Sequence, residues 1–446
     1  LPTTGAVSGL LEALAFFRDP AFAQRRFERF GNVYETRLLG QPLVFVRGGR
    51  AISDLFSQSE ACEGWWPESV RQLLGSRSLA NRNGADHRAR RRVVGQLFSA
   101  AALRRYSPAI VALVEELAAE LEAAPAPLPL VERMRRFAFT VIAGVVLGLE
   151  GDDREALFAD FEIWTRALFS IPIAWPGSPF ARALQARTRL LERLRGVLQR
   201  ARAQAAAGLP LAGGLDLLSG GLDEAGLPLT DDDLVEQLLL LLFAGYETTA
   251  SSLSCLMAAV LQQPSLLPWL RPELDRLAWP PPPEQAASAD DAERAPRLDA
   301  LVQEVMRLNP PVGGFFRRTT RPLRLDGVLV PAGRVVQVAL AASNRYRPAD
   351  AAGGDTPQAG DDLERFRPER HLEGGSGLTL LPFGGGERVC LGKALAELEI
   401  RLMSVGLLRR LELSLVPGQD LSLQAIPSPS PRGGLLVQAR SRTAAA

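Results

Sequence analysis

Apolar residues recur at helix-like spacing through much of the chain. Between residues 98 and 207, Leu113, Val114, Leu117 and Leu121, and then Phe137, Val141, Ile142, Val145 and Val146, return every three or four positions, the period of one buried helix face. Pro and Gly clusters at 172–179 and 208–226 punctuate this stretch as loops. The front of the chain reads as helical around residues 8 to 30. It continues into strand candidates at 33–38 and 42–46 joined across Leu39-Gly40-Gln41, a hairpin signature. Thr230 followed by Asp231, Asp232 and Asp233 is the sharpest helix start, since Thr caps the first turn and carboxylates meet the positive end of the dipole. That helix can run to Gln263, roughly 50 Å. Its apolar centre, 238–244, is compatible with a membrane span. Glu236 and Glu247 would then sit at membrane depth, costing about 2.5 to 3.5 kcal/mol each, so a buried core helix is the better reading.

Further on, 279–283 and 286–295 read as loop, 298–308 as helix, and 322–340 as a small sheet turning at Asp326-Gly327. Residues 348–362 read as a solvated insertion. A last helix runs from Gly392 to Arg409 or Arg410, with short strands at 412–415 and 434–437. The fold class is mainly α with small β-sheets (α+β), arranged as one domain over 1–446, β-rich near the N-terminus and at 322–340.

The chain has 446 residues, 47% hydrophobic and 23% charged, which excludes disorder as the main state. With 51 basic against 50 acidic residues no overall field favours nucleic acid, and no nucleic-acid partner is expected. Lys393 is the only lysine. The first residues lack a basic stretch leading into an apolar run, so a cytoplasmic protein without a membrane anchor is expected. Cys62, Cys255 and Cys390 give no disulfide framework, and two histidines, His87 and His371, give little support to a multi-imidazole metal site or a Ser-His-Asp hydrolase.

The strongest local signal is Phe383-Gly384-Gly385-Gly386-Glu387-Arg388-Val389-Cys390-Leu391-Gly392. Glycines there allow positive φ and close approach to the backbone, and the following helix start favours a thiolate. A lone thiolate cannot build a zinc site, but it can be the axial ligand of heme iron. A phosphate loop fails: five residues separate Gly386 from Gly392 where four are required, and Ala394 stands where a Ser or Thr must hold magnesium.

These residues resemble the cytochrome P450 superfamily of heme-thiolate monooxygenases, whose cysteine signature is matched at every fixed position. Glu304-Val305-Met306-Arg307 resembles the family's E-x-x-R helix, and Phe366-Arg367-Pro368-Glu369-Arg370 the stretch before the cysteine loop. The resemblance implies a long central helix and a Cys-ligand loop enclosing heme b, with Cys390 on the iron and Phe383 against the cofactor. It also implies a buried structural triad of Glu304, Arg307 and Arg370. Ala244-Gly245-Tyr246-Glu247-Thr248-Thr249 resembles the oxygen-activation motif, with Glu247 as the proton-relay acid and Thr248 as the hydroxyl that helps protonate dioxygen. Gly245 is expected to weaken and distort the helix there. Propionate partners carried over are His87 with Arg91 on one helix face, Arg317 and Arg388. His87 stands where many members have Trp.

The implied reaction is two-electron activation of O2 and hydroxylation of a C–H bond, with electrons from NAD(P)H through a ferredoxin-type donor and its reductase. Exposed arginines among Arg88, Arg90 and Arg92 are candidates for docking that donor. Alternatives are a peroxygenase or isomerase of the same fold, or a non-catalytic heme-thiolate binding protein. At finer grain the chain is similar to the cyanobacterial retinoic-acid-hydroxylating branch, through Trp66-Pro67-Glu68-Ser69, residues 168–173 and residues 309–317. That likeness implies a retinoid or other long apolar carboxylic acid or terpenoid as substrate. The pocket residues it names are Trp66, Phe169, Ala244, Val312, Phe315 and Phe316, with Trp65 beside them, all lining one pocket.

Overall fold

The computed structural model describes residues 1–4, 12, 15, 19, 22–38, 41–168, 170–209, 211, 213–218, 220–282, 295–347, 362–373, 380–425 and 427–442. Expectations placed on Phe169, on nearly all of 348–362 and on most of 8–21 and 286–295 fall outside them. The chain divides into two compact units, Leu1–Trp65 with Ala300–Cys390, and Trp66–Asp299 with Leu391–Ala446.

The first unit is built on a five-stranded mixed sheet. Strand β1 (Val33–Leu38) pairs antiparallel with β2 (Gln41–Val46), Val33 opposite Val46, as the hairpin pattern requires. β3 (Cys62–Gly64), β4 (Gly314–Thr319) and β5 (Val335–Ala339) complete it in the order β1-β2-β5-β4-β3, with β2 and β5 parallel. Successive strand residues face opposite sides, and both sides are buried. Val44, Val46, Val336 and Val338 join one cluster, while Tyr34, Leu43, Phe45 and Val335 join the other. The expected small sheet at 322–340 is divided. Leu323–Leu325 and Val328–Val330 form a hairpin about Asp326 and Gly327, both at positive φ as a tight two-residue turn demands, whereas β5 belongs to the large sheet.

The second unit is helical, with α1 (Gly84–Gly95), α2 (Ala100–Ala123), α3 (Leu130–Thr140), α4 (Gly151–Thr165), α5 (Pro179–Ala206), α6 (Asp231–Gln262) and α7 (Lys393–Arg410). A two-residue strand, Leu128–Pro129, interrupts the helical run and pairs with Leu436–Ser441. Helix α6 starts as its sequence dictates: Thr230 Oγ1 accepts from Asp233 N at 3.2 Å. It is long and apolar enough to cross a membrane, with mean hydropathy 1.3 over its best window, yet 67% of that window is buried inside the protein, as a core helix requires.

Helix α6 continues without a break across Gly245, and close packing gives the glycine a reason of its own. A Cβ at Gly245 would lie 2.4 Å from Ile142 Cγ1. Ile142 sits in a π-helical turn, Val141–Val146, that follows α3, marked by Leu147 N donating to Ile142 O at 3.0 Å. The wide turn leaves Val146 O to accept from Gly214 N at 2.8 Å. Tyr246, next in α6, is buried edge-on against Phe139, Phe158 and Phe161.

On α7, Glu399 is 1% exposed and its Oε2 has no hydrogen-bond partner among the described residues. Burial pushes its carboxyl well above the usual carboxylate range, so the fold keeps the proton that the unfolded chain releases.

Gly245→Ala is expected to cost about 1–3 kcal/mol of stability through overpacking. Part of that cost is recovered in the Gly245→Ala/Ile142→Val double variant, read from denaturant midpoints; equal midpoints for the single variant and the parent refute the packing account. Because the folded-state pKa of Glu399 is raised, its contribution is complete below the ordinary carboxylate pKa and declines as pH rises toward the folded value. Glu399→Gln therefore flattens the fall of the melting temperature as pH rises above the ordinary carboxylate pKa.

Candidate active site

In the first unit, the cysteine loop is shaped by two glycines at positive φ, Gly384 at 69° and Gly386 at 65°. It is closed by Cys390 N donating to Phe383 O at 2.9 Å and Val389 N donating to Gly386 O at 3.1 Å. Between them Gly385 lies on the Phe56 ring; a Cβ there would come within 2.6 Å of Phe56 Cε2. Phe56 in turn stacks on Phe315, with centroids 6.0 Å apart. The loop delivers Cys390 exposed, three residues before α7.

Arg388 projects from this loop against Gly64, where a Cβ would fall 2.4 Å from Arg388 Cζ. Gly64 is the register partner of Arg317 across β3 and β4. Arg317 is half-buried, donates to Phe316 O at 2.8 Å and lies over the Phe315 ring. Among the described residues it makes no ion pair. Burial first, and the Arg388 charge second, lower its pKa to about 10. Two guanidiniums brought together under partial burial form a site for carboxylates. The donor set therefore fits a cofactor that presents one soft-ligand position and carboxylate arms. Among the described residues no group of three or more His, Cys, Asp or Glu could hold a metal ion by itself.

The carboxylate of Glu304 is fully buried and saturated. Arg307 Nε and Nη2 donate to it at 2.8 and 2.9 Å, Arg370 Nε at 3.1 Å and Arg367 N at 2.8 Å. His371 Nε2 completes the set at 2.8 Å. Burial pushes this carboxyl up, but the hydrogen bonds from Arg307, His371 and the Arg367 backbone outweigh it and hold it at about 2. The guanidiniums also bind the carbonyls of Asn344, Leu363, Arg365 and Asp362, anchoring a segment that has little regular structure.

In the second unit, α6 presents Ala244 exposed and Thr248 partly exposed. Thr248 Oγ1 donates to Ala244 O at 2.7 Å. Glu247 is paired with Arg135 of α3 at 3.0 Å, its side chain 13% exposed. On α1, His87 is buried and Arg91 half-buried, one turn apart on the same face. Arg90 is corrected: it is 5% exposed, bound to Asp233 at 3.1 Å and Glu224 at 2.9 Å and paired with Asp86. The unit places three carboxylates around it, so it cannot serve a docking surface; Arg88 and Arg92 are the exposed members of that run.

The pocket residues are not all brought together. Phe315 and Phe316 alternate to opposite faces of β4, Phe315 packing with Phe56 and Phe316 with Trp65 at 5.4 Å, because strand side chains alternate. The expectation that both line one pocket is therefore corrected. Val312 is 45% exposed, Trp66 is half-buried, and Phe169 lies outside the described residues. Sequence reasoning missed Phe56, Gly64, Arg135 and His371. His371 immediately follows Arg370, a signal that could have placed it.

Glu304→Gln is expected to cost about 3–5 kcal/mol, since Arg307 and Arg370 would be left buried against a neutral group, measured as a drop in the urea midpoint. A depressed pKa gives stability that is present above the ordinary carboxylate value and lost as pH falls toward 2. The variant should therefore lose less stability than the parent in acid.

The Cytochrome P450 family model matches residues 18–440. Cytochrome P450 120 of Synechocystis is 33% identical over 436 residues, covering 96% of this chain and 94% of the relative. Human cytochrome P450 26C1 is 32% identical over 438 residues, covering 93% and 83%. The solved structure of retinoic acid-bound cyanobacterial CYP120A1 matches with a TM-score of 0.84 at 32% identity, covering 97% of this chain and 96% of that one.

Proposed function

The chain belongs to the cytochrome P450 family and is a heme monooxygenase that takes electrons from redox partners, and from that premise we propose that it hydroxylates a long apolar carboxylic acid, a retinoid foremost. The observation that carries the substrate class is the chain-long match to a structure holding retinoic acid. The electrons come from NAD(P)H through a ferredoxin-type donor and its reductase, and the exposed cations Arg88 and Arg92 suit an acidic donor.

Heme b, held by Cys390, would supply the reductive activation of O2 and the transfer of one oxygen atom to the substrate. By the resemblance, Arg317 and Arg388, and His87 with Arg91, would hold its propionates, and Phe383 would pack against it. The cation pair of Arg317 and Arg388, with the Arg317 charge already disfavoured by burial and then by its neighbour, is what a propionate would neutralise. Thr248 has its one hydroxyl proton committed to Ala244 O, so it offers lone pairs to a proton-bearing water on its exposed side. Glu247 is the acid that passes protons to that position. Arg135 keeps its carboxylate on the α3 side until a proton is taken up. By the resemblance, Trp66 and Ala244 of the second unit and, in the first, Val312 with either Phe315 or Phe316 but not both would each face an apolar substrate.

The test is spectroscopic first. The ferrous carbon monoxide complex should give a thiolate-type Soret band that Cys390→Ser abolishes, and retinoic acid should shift the spin state where a short-chain acid does not. Thr248→Ala should consume NAD(P)H and O2 while releasing hydrogen peroxide in place of product. Arg135→Met should raise the solvent isotope effect on turnover, with Arg135→Lys restoring it. Absence of a retinoid-induced shift discards the substrate class, and unchanged coupling in Thr248→Ala removes that hydroxyl from proton delivery.

A further inference from the structure

On α6, Gln237, Leu241, Ala244 and Thr248 recur at intervals of four, three and four, so they share one face of the helix. The two ends of that stripe differ. Ala244 is exposed and Thr248 partly exposed, whereas Leu241 is 6% and Gln237 1% exposed. What covers Gln237 is the chain at 77–79, bound to both ends of its amide. Leu79 N donates to Gln237 Oε1 at 2.7 Å, and Gln237 Nε2 donates to Arg77 O at 2.8 Å.

The preceding residue, Glu236, holds the same segment from the side. Its Oε2 accepts from Arg77 N at 2.7 Å, and its Oε1 pairs with Arg187 of α5, the two side chains 12% and 18% exposed. Arg187 Nε also donates to Leu73 O at 2.9 Å, and the same carbonyl accepts from Trp164 Nε1 of α4 at 3.2 Å. Ser69 Oγ donates to Leu168 O at 2.8 Å. Gly75, at φ 93°, lets the chain pass the ion pair, since a Cβ there would overlap Arg187 Nη2 and Glu236 Oε1.

A wall of apolar side chains alone gives way to a longer ligand by repacking. A wall bolted by buried hydrogen bonds and an ion pair resists, because moving it strands each polar group it releases. The stripe that is open at Thr248 and Ala244 therefore meets a fixed end at Gln237, eleven residues and roughly 16 Å from Thr248. We propose that Glu236 and Gln237 are positioning residues that hold residues 73–79 as an end stop, and so limit the length of ligand that fits between that stop and Thr248. The proposal rests on the substrate lying along the Thr248 face of α6, as the proposed function has it, and is independent of the substrate being a retinoid.

The test titrates the holoenzyme with N-alkylimidazoles of increasing chain length, whose ring nitrogen binds the iron and shifts the Soret band whatever the natural substrate is. Affinity should rise about fourfold per added methylene and then break at the length the stop allows. Gln237→Leu keeps the volume and loses both bonds, and Glu236→Gln, the milder change, loses the ion pair. Each should move the break to longer chains, tightening the first excluded homologue about tenfold and leaving N-methylimidazole unchanged. Amide hydrogen exchange at Leu79 should also quicken about tenfold in Gln237→Leu, with α7 unaffected. A parent without a break, or a break at the same length in parent and variants, overturns the proposal. So does faster exchange with an unmoved break, which would make these bonds a support of the fold alone. A moved break in a protein whose spin state ignores retinoic acid upholds the stop and counts only against the retinoid.

Discussion

A carboxylate buried between two guanidiniums is what ties irregular chain to the core of the first unit. Backbone carbonyls outside helices and sheets must find donors when buried, and residues 362–371 have almost no ladder to supply them. Arg307 and Arg370 each bring five N–H groups, more than Glu304 can accept, and the surplus is spread over the carbonyls of Asn344, Asp362, Leu363 and Arg365. The anion makes it tolerable to bury both cations, and the cations hold the segment that leads toward the cysteine loop. A single methyl or methylene change elsewhere can be absorbed by repacking, whereas loss of this anion strands two charges at once.

The second unit relies on a different constraint, the closeness of α6 to α3 and its π turn. Gly245 permits the approach to Ile142, and Tyr246 is then gripped by Phe139, Phe158 and Phe161. With residues 245 and 246 turned into the core, helical spacing directs Ala244, Glu247 and Thr248 elsewhere on α6, where Glu247 meets Arg135. The hydroxyl and the acid are thus placed by their packed neighbours rather than by their own contacts.

Much of this was legible in local sequence. The hairpin at 33–46, the Thr230 cap and the course of α6 follow from spacing and local chemistry, and the Glu304, Arg307 and Arg370 cluster from the resemblance to the family. What was not legible depends on partners distant along the chain. Arg90 reads as one more exposed arginine until Glu224 and Asp233 are folded onto it. Arg135 lies 112 residues from Glu247, and nothing in its neighbourhood announces the pairing. Gly245 was read through helix propensity, a local property, when the reason lies in Ile142. Residues 335–339 alternate as well in a small sheet as in a large one; only the parallel partner β2 decides between them. Phe315 and Phe316 were both credited to a pocket because aromatic character is visible in sequence and strand facing is not until the register is known.

Three buried charge problems in this chain are solved in three ways, and the difference separates scaffold from site. Glu304 is answered wholly by its own polypeptide, with cations and N–H donors to spare. Glu399 is answered by keeping its proton, which removes the charge at the cost of an unpartnered oxygen. Arg317 has neither remedy: a guanidinium does not give up its proton at neutral pH, and the charge that acts on it most, Arg388, has the same sign. The remaining remedy is an anion from outside the chain. Any ligand bearing carboxylates at that position binds the folded state and not the unfolded one, so its affinity adds directly to folding stability. If Arg317, Arg388 and Cys390 hold the cofactor as proposed, its retention and the stability of the fold would be coupled through that cation pair as well as through the sulfur.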